Sequence, residues 1–242
     1  MGWKDNLTVV LVETRNPLNI GAAARAMLNF GFTRLTLVKP YEVAFREARS
    51  AVGAVSVLAA ARVMQSLAPA LTETTLVVGT SSPQGRVSRQ PRRRLEEAAA
   101  LLRDHLRRRP AALLFGSEKF GLSNEHLSYC HWSLRIPTDP ACPSMNLGQA
   151  VALVCHEIAR TSAPPSRRAV SKSPVTAAAQ LDRITGRLAA VLDSSGYINP
   201  RTRTSHLLKI RRLVRRLTLT PPDAQVLEGM LRQIDWKLTN LP

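Results

Sequence analysis

The sequence is poor in cysteine, in acids and in lysine, and it has no long apolar run. Its three cysteines, Cys130, Cys142 and Cys155, are spaced 12 and 13 apart with no CxxC. An odd count without a pairing signature excludes a disulfide framework and reads as reduced thiols in an intracellular protein. The pairs Cys130-His131 and Cys155-His156 suggest zinc at first sight. Adjacent residues on a strand or helix point in different directions, however, so they make poor metal clips and no metal site is expected. No apolar stretch approaches the roughly 18–20 residues of a membrane span. The first residues lead directly into a strand-like segment, so no secretory leader is expected. Acids number 17 against 34 basic residues, a net charge of +17, and only 6 of those 34 are lysine. Genomic base composition could favour arginine over lysine, but it does not explain the shortage of acids. Arginine's planar five-donor fork suits phosphate, so the expected partner is a polyanion, nucleic acid above all.

What is present is a core-forming chain of 242 residues, 45% apolar, about the size of two domains. Strand-like runs occur at 7–12 (LTVVLV), 33–38 (TRLTLV), 75–78 (TLVV), 111–115 (AALLF) and 132–136 (WSLRI). Most are continuous rather than alternating, as expected of parallel strands covered on both faces. Helices are expected between them at 19–30, 52–67, 92–109 and 146–160. The last carries an apolar stripe of Leu147, Val151, Val154 and Ile158. This alternation predicts an α/β layered sheet over 1–160. Residues 161–174 (TSAPPSRRAVSKSP) lose all periodicity and read as a linker. Beyond it, 175–242 shows helical patterns near 175–194, 201–217 and 221–237, predicting a small all-helical domain.

The tail carries more than half of the net charge: 14 basic and 5 acidic residues over 161–242, against 20 and 12 over 1–160. Between Arg201 and Arg216 there are seven basic residues and no acid. On a helical wheel Leu207, Ile210, Val214 and Leu217 share one side. Arg211, Arg212, Arg215 and Arg216 then fall on the other, as a candidate phosphate track.

Standard nucleotide motifs fail. No strand is followed by GxGxxG, and the glycine spacing of 116–121 runs into Leu122-Ser123 where a P-loop needs Lys-Ser/Thr. Three other segments follow strands, where open α/β sheets place ligands. In the first, 16–27 (NPLNIGAAARAM), Pro17 and Asn19 open a helix, small residues bare its first turn, and Arg25 projects from the second. In the second, 114–125 (LFGSEKFGLSNE), a buried strand enters a Gly-bounded loop bearing Glu118 and Lys119. In the third, 136–149 (IPTDPACPSMNLGQ), a proline-rich turn leads through Ser144-Met145-Asn146 into the apolar helix. Asn146 is a natural N-cap there.

In order and spacing these segments closely resemble motifs one, two and three of the SPOUT class of RNA methyltransferases, in its 2′-O-ribose branch and most narrowly the TrmJ-type tRNA enzymes. The resemblance implies a parallel sheet with a C-terminal trefoil knot, followed by the helical domain. It also implies S-adenosyl-L-methionine as methyl donor, a homodimer with shared active sites, and tRNA rather than DNA as partner, modified at position 32 of the anticodon loop. An rRNA 2′-O-methyltransferase and a noncatalytic RNA-binding module are the alternatives. Carried over by motif, the reacting residues are Asn19, Arg25, Glu118, Ser144 and Asn146. The donor is implied to lie against Thr80, Ser81, Ser82, Gly116, Ile136, Ser144 and Met145. Arg25 is expected to orient the ribose hydroxyl and clamp a phosphate, since a guanidinium with a pKa above roughly 12 keeps its proton. The chain departs from the related Gly-Arg-Glu-Arg run by having Ser117 and Lys119 where arginines commonly stand.

Overall fold

The computed structural model describes residues 2–41, 53–81, 91–160 and 176–240. Seven strands, β1 (Leu7–Val12), β2 (Arg34–Val38), β3 (Arg62–Met64), β4 (Leu76–Thr80), β5 (Arg92–Arg94), β6 (Ala111–Phe115) and β7 (Trp132–Arg135), form one sheet. Its order is β3-β2-β1-β6-β4-β7-β5, and every pairing is parallel. The central strands β1 and β6 are buried almost throughout because both faces are covered. Alternate side chains serve opposite sides. Leu7, Val9 and Leu11 join one cluster, built with helices α1 (Pro17–Asn29), α4 (Leu95–Leu106) and α6 (Leu147–Ala159). Val10 and Val12 join the other, with Leu67, Leu71, Leu127 and Cys130.

Two of the expected helices are partly strand. Residues 52–67 were expected to be one helix; the described part holds a short helix, α2 (Val55–Ala59), then β3, and then a turn of helix, α3 (Leu67–Ala70). Residues 92–94 likewise form β5, and α4 starts only at Leu95, where Glu96 and Glu97 favour a helix N-terminus. Both strands lie at the sheet's edges, where ladder hydrogen bonds override helix propensity and no buried apolar run is required.

Beyond α5 (Asn124–Ser128), β7 and α6, the chain ends in three helices, α7 (Ala178–Ser194), α8 (Arg203–Arg216) and α9 (Pro221–Thr239). They pack through Leu181, Ile184, Val191, Val214, Ala224 and Leu231. The expected linker at 161–174 lies outside the described residues. The helical part is joined to the sheet part: Ala178 sits in the second cluster and its amide donates to the Thr74 carbonyl at 2.9 Å.

The basic helix α8 departs from its wheel. Ile210 and Val214 are buried as expected, but Leu217 is exposed, and Arg215 is buried at 1% exposure. Its guanidinium donates to Asp182 of α7 at 2.7 Å. Burial sets it against low-dielectric surroundings, and only the carboxylate opposite makes that tolerable. Arg211 stacks on the Tyr129 ring at 4.1 Å and donates to Ser128 Oγ at 3.0 Å, while Arg212 donates to the Asn124 carbonyl at 3.3 Å. Of the four arginines expected to face RNA, Arg215 is therefore an internal cation and Arg211 and Arg212 dock α8 onto α5. Arg216 alone is exposed.

Candidate active site

A cleft of about 510 Å³ opens at the C-terminal ends of β4, β6 and β7. This is where a parallel sheet gathers loops around a ligand. Thr80, Ser81, Gly116, Ile136, Ser144 and Met145 all line it, as do Asn19, Glu118 and Asn146. Ser82 lies outside the described residues. The strand ends are tied beneath the cleft. Thr80 Oγ1 donates to the Leu114 carbonyl at 3.0 Å, and the Ser81 amide donates to the Leu134 carbonyl at 2.9 Å.

Three of the expected reacting residues form one hydrogen-bonded chain that joins the three segments. Asn146 Oδ1 caps α6 by accepting from the amides of Gly148 (2.9 Å) and Gln149 (3.3 Å). Its Nδ2 donates to Asn19 Oδ1 at 2.8 Å, and Asn19 Nδ2 donates to Glu118 Oε1 at 3.1 Å. Glu118 also accepts from the amides of Arg15 (3.3 Å) and Asn16 (3.2 Å). Burial alone would raise the Glu118 carboxyl. The hydrogen bonds from Asn19, from its own amide and from those of Arg15 and Asn16 outweigh burial and hold it below the ordinary carboxylate range. The result is a fixed negative charge in the cleft wall. Both faces of the Asn19 amide are in use within this chain, so Asn19 positions its neighbours.

Glycine permits the close approaches. A Cβ on Gly116 would lie 2.0 Å from the Gly121 carbonyl carbon, because the loop closes on itself through a Gly121 amide to Ser117 carbonyl bond at 2.8 Å. A Cβ on Gly148 would lie 2.6 Å from the Ala22 Cβ, which is why α1 carries a small residue at Ala22: α6 seats directly on it.

Arg25 is exposed and its guanidinium stands beside Gly53, within 3.1 Å of where a Cβ there would be. It is not among the residues lining the cleft of its own chain. The cleft wall also includes Lys119, Phe120 and Arg92. Membership of the Gly-bounded loop pointed to Lys119, whereas nothing in the sequence pointed to Arg92, whose segment reads as helix. Cys130 and Cys155 are buried, with their thiols pushed up to about 12 by burial. His131 Nδ1 accepts the Val77 amide at 3.1 Å.

Residues 6–156 match the model of the SpoU rRNA methylase family. The chain is 33% identical over 240 residues to the tRNA (cytidine/uridine-2′-O-)-methyltransferase TrmJ of Cronobacter sakazakii, covering 95% of this chain and 96% of the relative. It is also 33% identical over 241 residues to the tRNA (cytidine/uridine/adenosine-2′-O-)-methyltransferase TrmJ of Pseudomonas aeruginosa, covering 95% and 93%. The crystal structure of TrmJ from Z. mobilis superposes with a TM-score of 0.81 at 29% identity, over 94% of this chain and 98% of that one. With its parallel sheet, its three converging segments and these relatives, the chain belongs to the SpoU methylase family, and it is a methyltransferase of that family.

Proposed function

We propose that this enzyme transfers a methyl group from S-adenosyl-L-methionine to a ribose 2′-hydroxyl of tRNA, a pyrimidine nucleotide at position 32 of the anticodon loop being the target. One observation carries the reading. The Glu118–Asn19–Asn146 chain locks three separate segments around one cleft, in a chain matched over 95% of its length by two TrmJ relatives that are named as tRNA 2′-O-methyltransferases. The excess of arginine supports an RNA substrate.

The cleft residues fit the donor. Its volume lies within the usual range for small-molecule sites, roughly 300–1,000 Å³. Phe115, Leu134, Ile136 and Leu147 supply apolar wall for a purine, and Gly116 lets the backbone of residues 116–122 close tightly on itself as part of that wall. The ionised Glu118 suits a cationic group. Thr80, Ser81, Gly116, Ile136, Ser144 and Met145 would hold the donor, which supplies an electrophilic methyl on a positive sulfonium. The protein's own contribution is then alignment and electrostatics. Arg25 acts by orienting the hydroxyl and clamping the adjacent phosphate. Ser144, exposed at the cleft, is placed to hydrogen-bond the incoming oxygen.

Because Arg25 does not line its own chain's cleft, we assign it to the cleft of a second copy, giving a homodimer with shared sites. The C-terminal knot belongs to the same reading, supported by the way β7 enters between β4 and β5 before α6 returns across α1. The organisation is a catalytic unit over 1–160, a connection at 161–174 and a helical unit over 175–242, in the cytoplasm. No helix among the described residues is long and apolar enough to cross a membrane. The test is to map 2′-O-methylation by mass spectrometry in cells with and without the gene. Loss confined to rRNA would move the assignment to an rRNA enzyme. An absence of saturable donor binding in calorimetry would make the protein a noncatalytic RNA binder.

A further inference from the structure

The cleft carries one side chain that neither its fold nor its donor chemistry accounts for. Phe120 is 64% exposed, yet it lines the cleft beside Glu118. Aromatics are only 5% of this chain. Its neighbours in the loop are fixed. Gly116 and Gly121 are in contact, Gly121 takes φ +62°, and Ser123 Oγ caps α5 by accepting the His126 amide at 3.1 Å. The ring is therefore presented by a loop of defined shape rather than by a loose tip. Two cations accompany it at the same cleft, Lys119, whose ammonium is 5.2 Å from the ring centroid, and Arg92. An exposed ring with one cation against it and a second in the same cleft is an arrangement that suits unstacked nucleotides: the ring takes the base, and the cations take nearby phosphates.

We propose that Phe120 is a stacking platform for a nucleobase of the RNA acceptor, at or next to the methylated nucleotide, with Lys119 and Arg92 on the flanking phosphates. The inference rests on the RNA ribose methyltransferase reading of the same cleft. A ribose 2′-hydroxyl can reach a recessed methyl group only if its nucleotide leaves the stack of the loop. A surface that receives the base offsets that loss. Base stacking on an aromatic ring is sequence-tolerant, so Phe120 secures the nucleotide and leaves discrimination among bases to other contacts.

The test uses the full-length enzyme with an anticodon stem-loop RNA and purified tRNA. Phe120→Ala should raise the KM for RNA about 5- to 100-fold, the range expected for loss of one stacked base. Donor affinity by calorimetry and the sedimentation coefficient should stay at wild-type values. Phe120→Tyr should retain wild-type KM and Phe120→Leu should not, since both fill the space but only one stacks. Phe120→Trp should show fluorescence quenching on adding the RNA and none on adding donor alone. Lys119→Gln and Arg92→Gln should each lower the salt dependence of RNA binding. Unchanged RNA KM in Phe120→Ala, equal behaviour of the Leu and Tyr variants, a loss of donor affinity, or a change in oligomeric state would each overturn the platform. If wild-type enzyme methylates no RNA, the functional reading itself fails. If it does and the variants behave like wild type, only the platform fails.

Discussion

Replacing Arg215 separates two opposed accounts of the basic tail. On the wheel it is one phosphate ligand among four, and its loss would leave folding intact and weaken RNA binding. In the fold its side chain is 0% exposed and faces an Asp182 side chain that is 25% exposed, at 2.7 Å. Truncating one member of a buried pair leaves the other charge uncompensated, which costs about 3–5 kcal/mol. Arg215→Ala should therefore lower Tm by roughly 6–20 °C, taking about 2–4 °C per kcal/mol for a chain of this size. The double variant Asp182→Leu with Arg215→Met removes both charges and keeps volume. It should recover to wild-type stability or exceed it by about 1–4 kcal/mol. Urea unfolding of Asp182→Leu, Arg215→Met and the double variant, with wild type, gives the coupling energy. The salt dependence of tRNA binding, measured on the stable double variant, should match wild type, because a guanidinium bound to Asp182 releases no counterion from RNA. A phosphate ligand would instead remove about 0.7–0.9 from the log–log slope. A stable Arg215→Ala protein with a reduced slope would refute the buried-pair account and restore the wheel's.

Asn146→Ala should remove the α6 cap, at about 0.5–2 kcal/mol, and leave the Asn19 carbonyl oxygen without its donor, at about 1–3 kcal/mol more. The cleft loses its brace, so methyl transfer should fall further than thermal unfolding alone explains. Gly116→Ala should abolish saturable donor binding in calorimetry, because its Cβ has 2.0 Å where it needs more than 3 Å; tight donor binding would show that the loop opens freely. Arg25→Ala should lower turnover about a hundredfold or more with donor affinity intact, and mixing it with Gly116→Ala subunits should restore activity if sites are shared. Acid should destabilise the fold. Burial holds His131 down to about 3, so the unfolded chain binds a proton there that the folded chain does not. Stability is thus fully present above about pH 6.5 and is lost by up to about 1.4 kcal/mol per unit below it. His105, also lowered by burial, adds in the same direction. A urea midpoint that is flat or rising from pH 7.5 to 5 would contradict both assignments.

The strands legible in sequence were those buried on both faces. The runs at 7–12 and 111–115 need apolar side chains at every position, and no helix of that length would carry such a run between turn signals. β3 and β5 were not legible, because an edge strand is held by its backbone ladder and Arg92–Arg94 has no apolar pattern to read. The tail helices were found from their periodicity. Which arginine turns inward was not, since it depends on Asp182, 33 residues away on another helix. The cleft followed a similar division. The three segments were marked by their turns, glycines and charges, and nearly all of their expected residues do line one cavity. That Asn19, Glu118 and Asn146 bond to one another was hidden, because their contacts span 99 and 127 residues of chain. Phe120 was passed over because a single aromatic in a loop carries no pattern.

The position of β7 between β4 and β5 sets an order on folding during synthesis. β5 pairs with β7 alone among the described strands, so it has no ladder until residues 132–135 have left the ribosome. At about 5–20 residues per second, the 38 residues from Arg94 to Trp132 take about 2–8 s. Throughout that interval β5 and the outer side of β4 are open strand edges, the form in which chains pair wrongly with one another. The segment left waiting reads Arg-Arg-Arg, and like charges repel any second copy that tries to add to it. Arg92, which later lines the cleft, and its two arginine neighbours would thus act first as an electrostatic guard on the nascent chain, so that neutralising all three should raise aggregation during synthesis more than it lowers the stability of the finished protein.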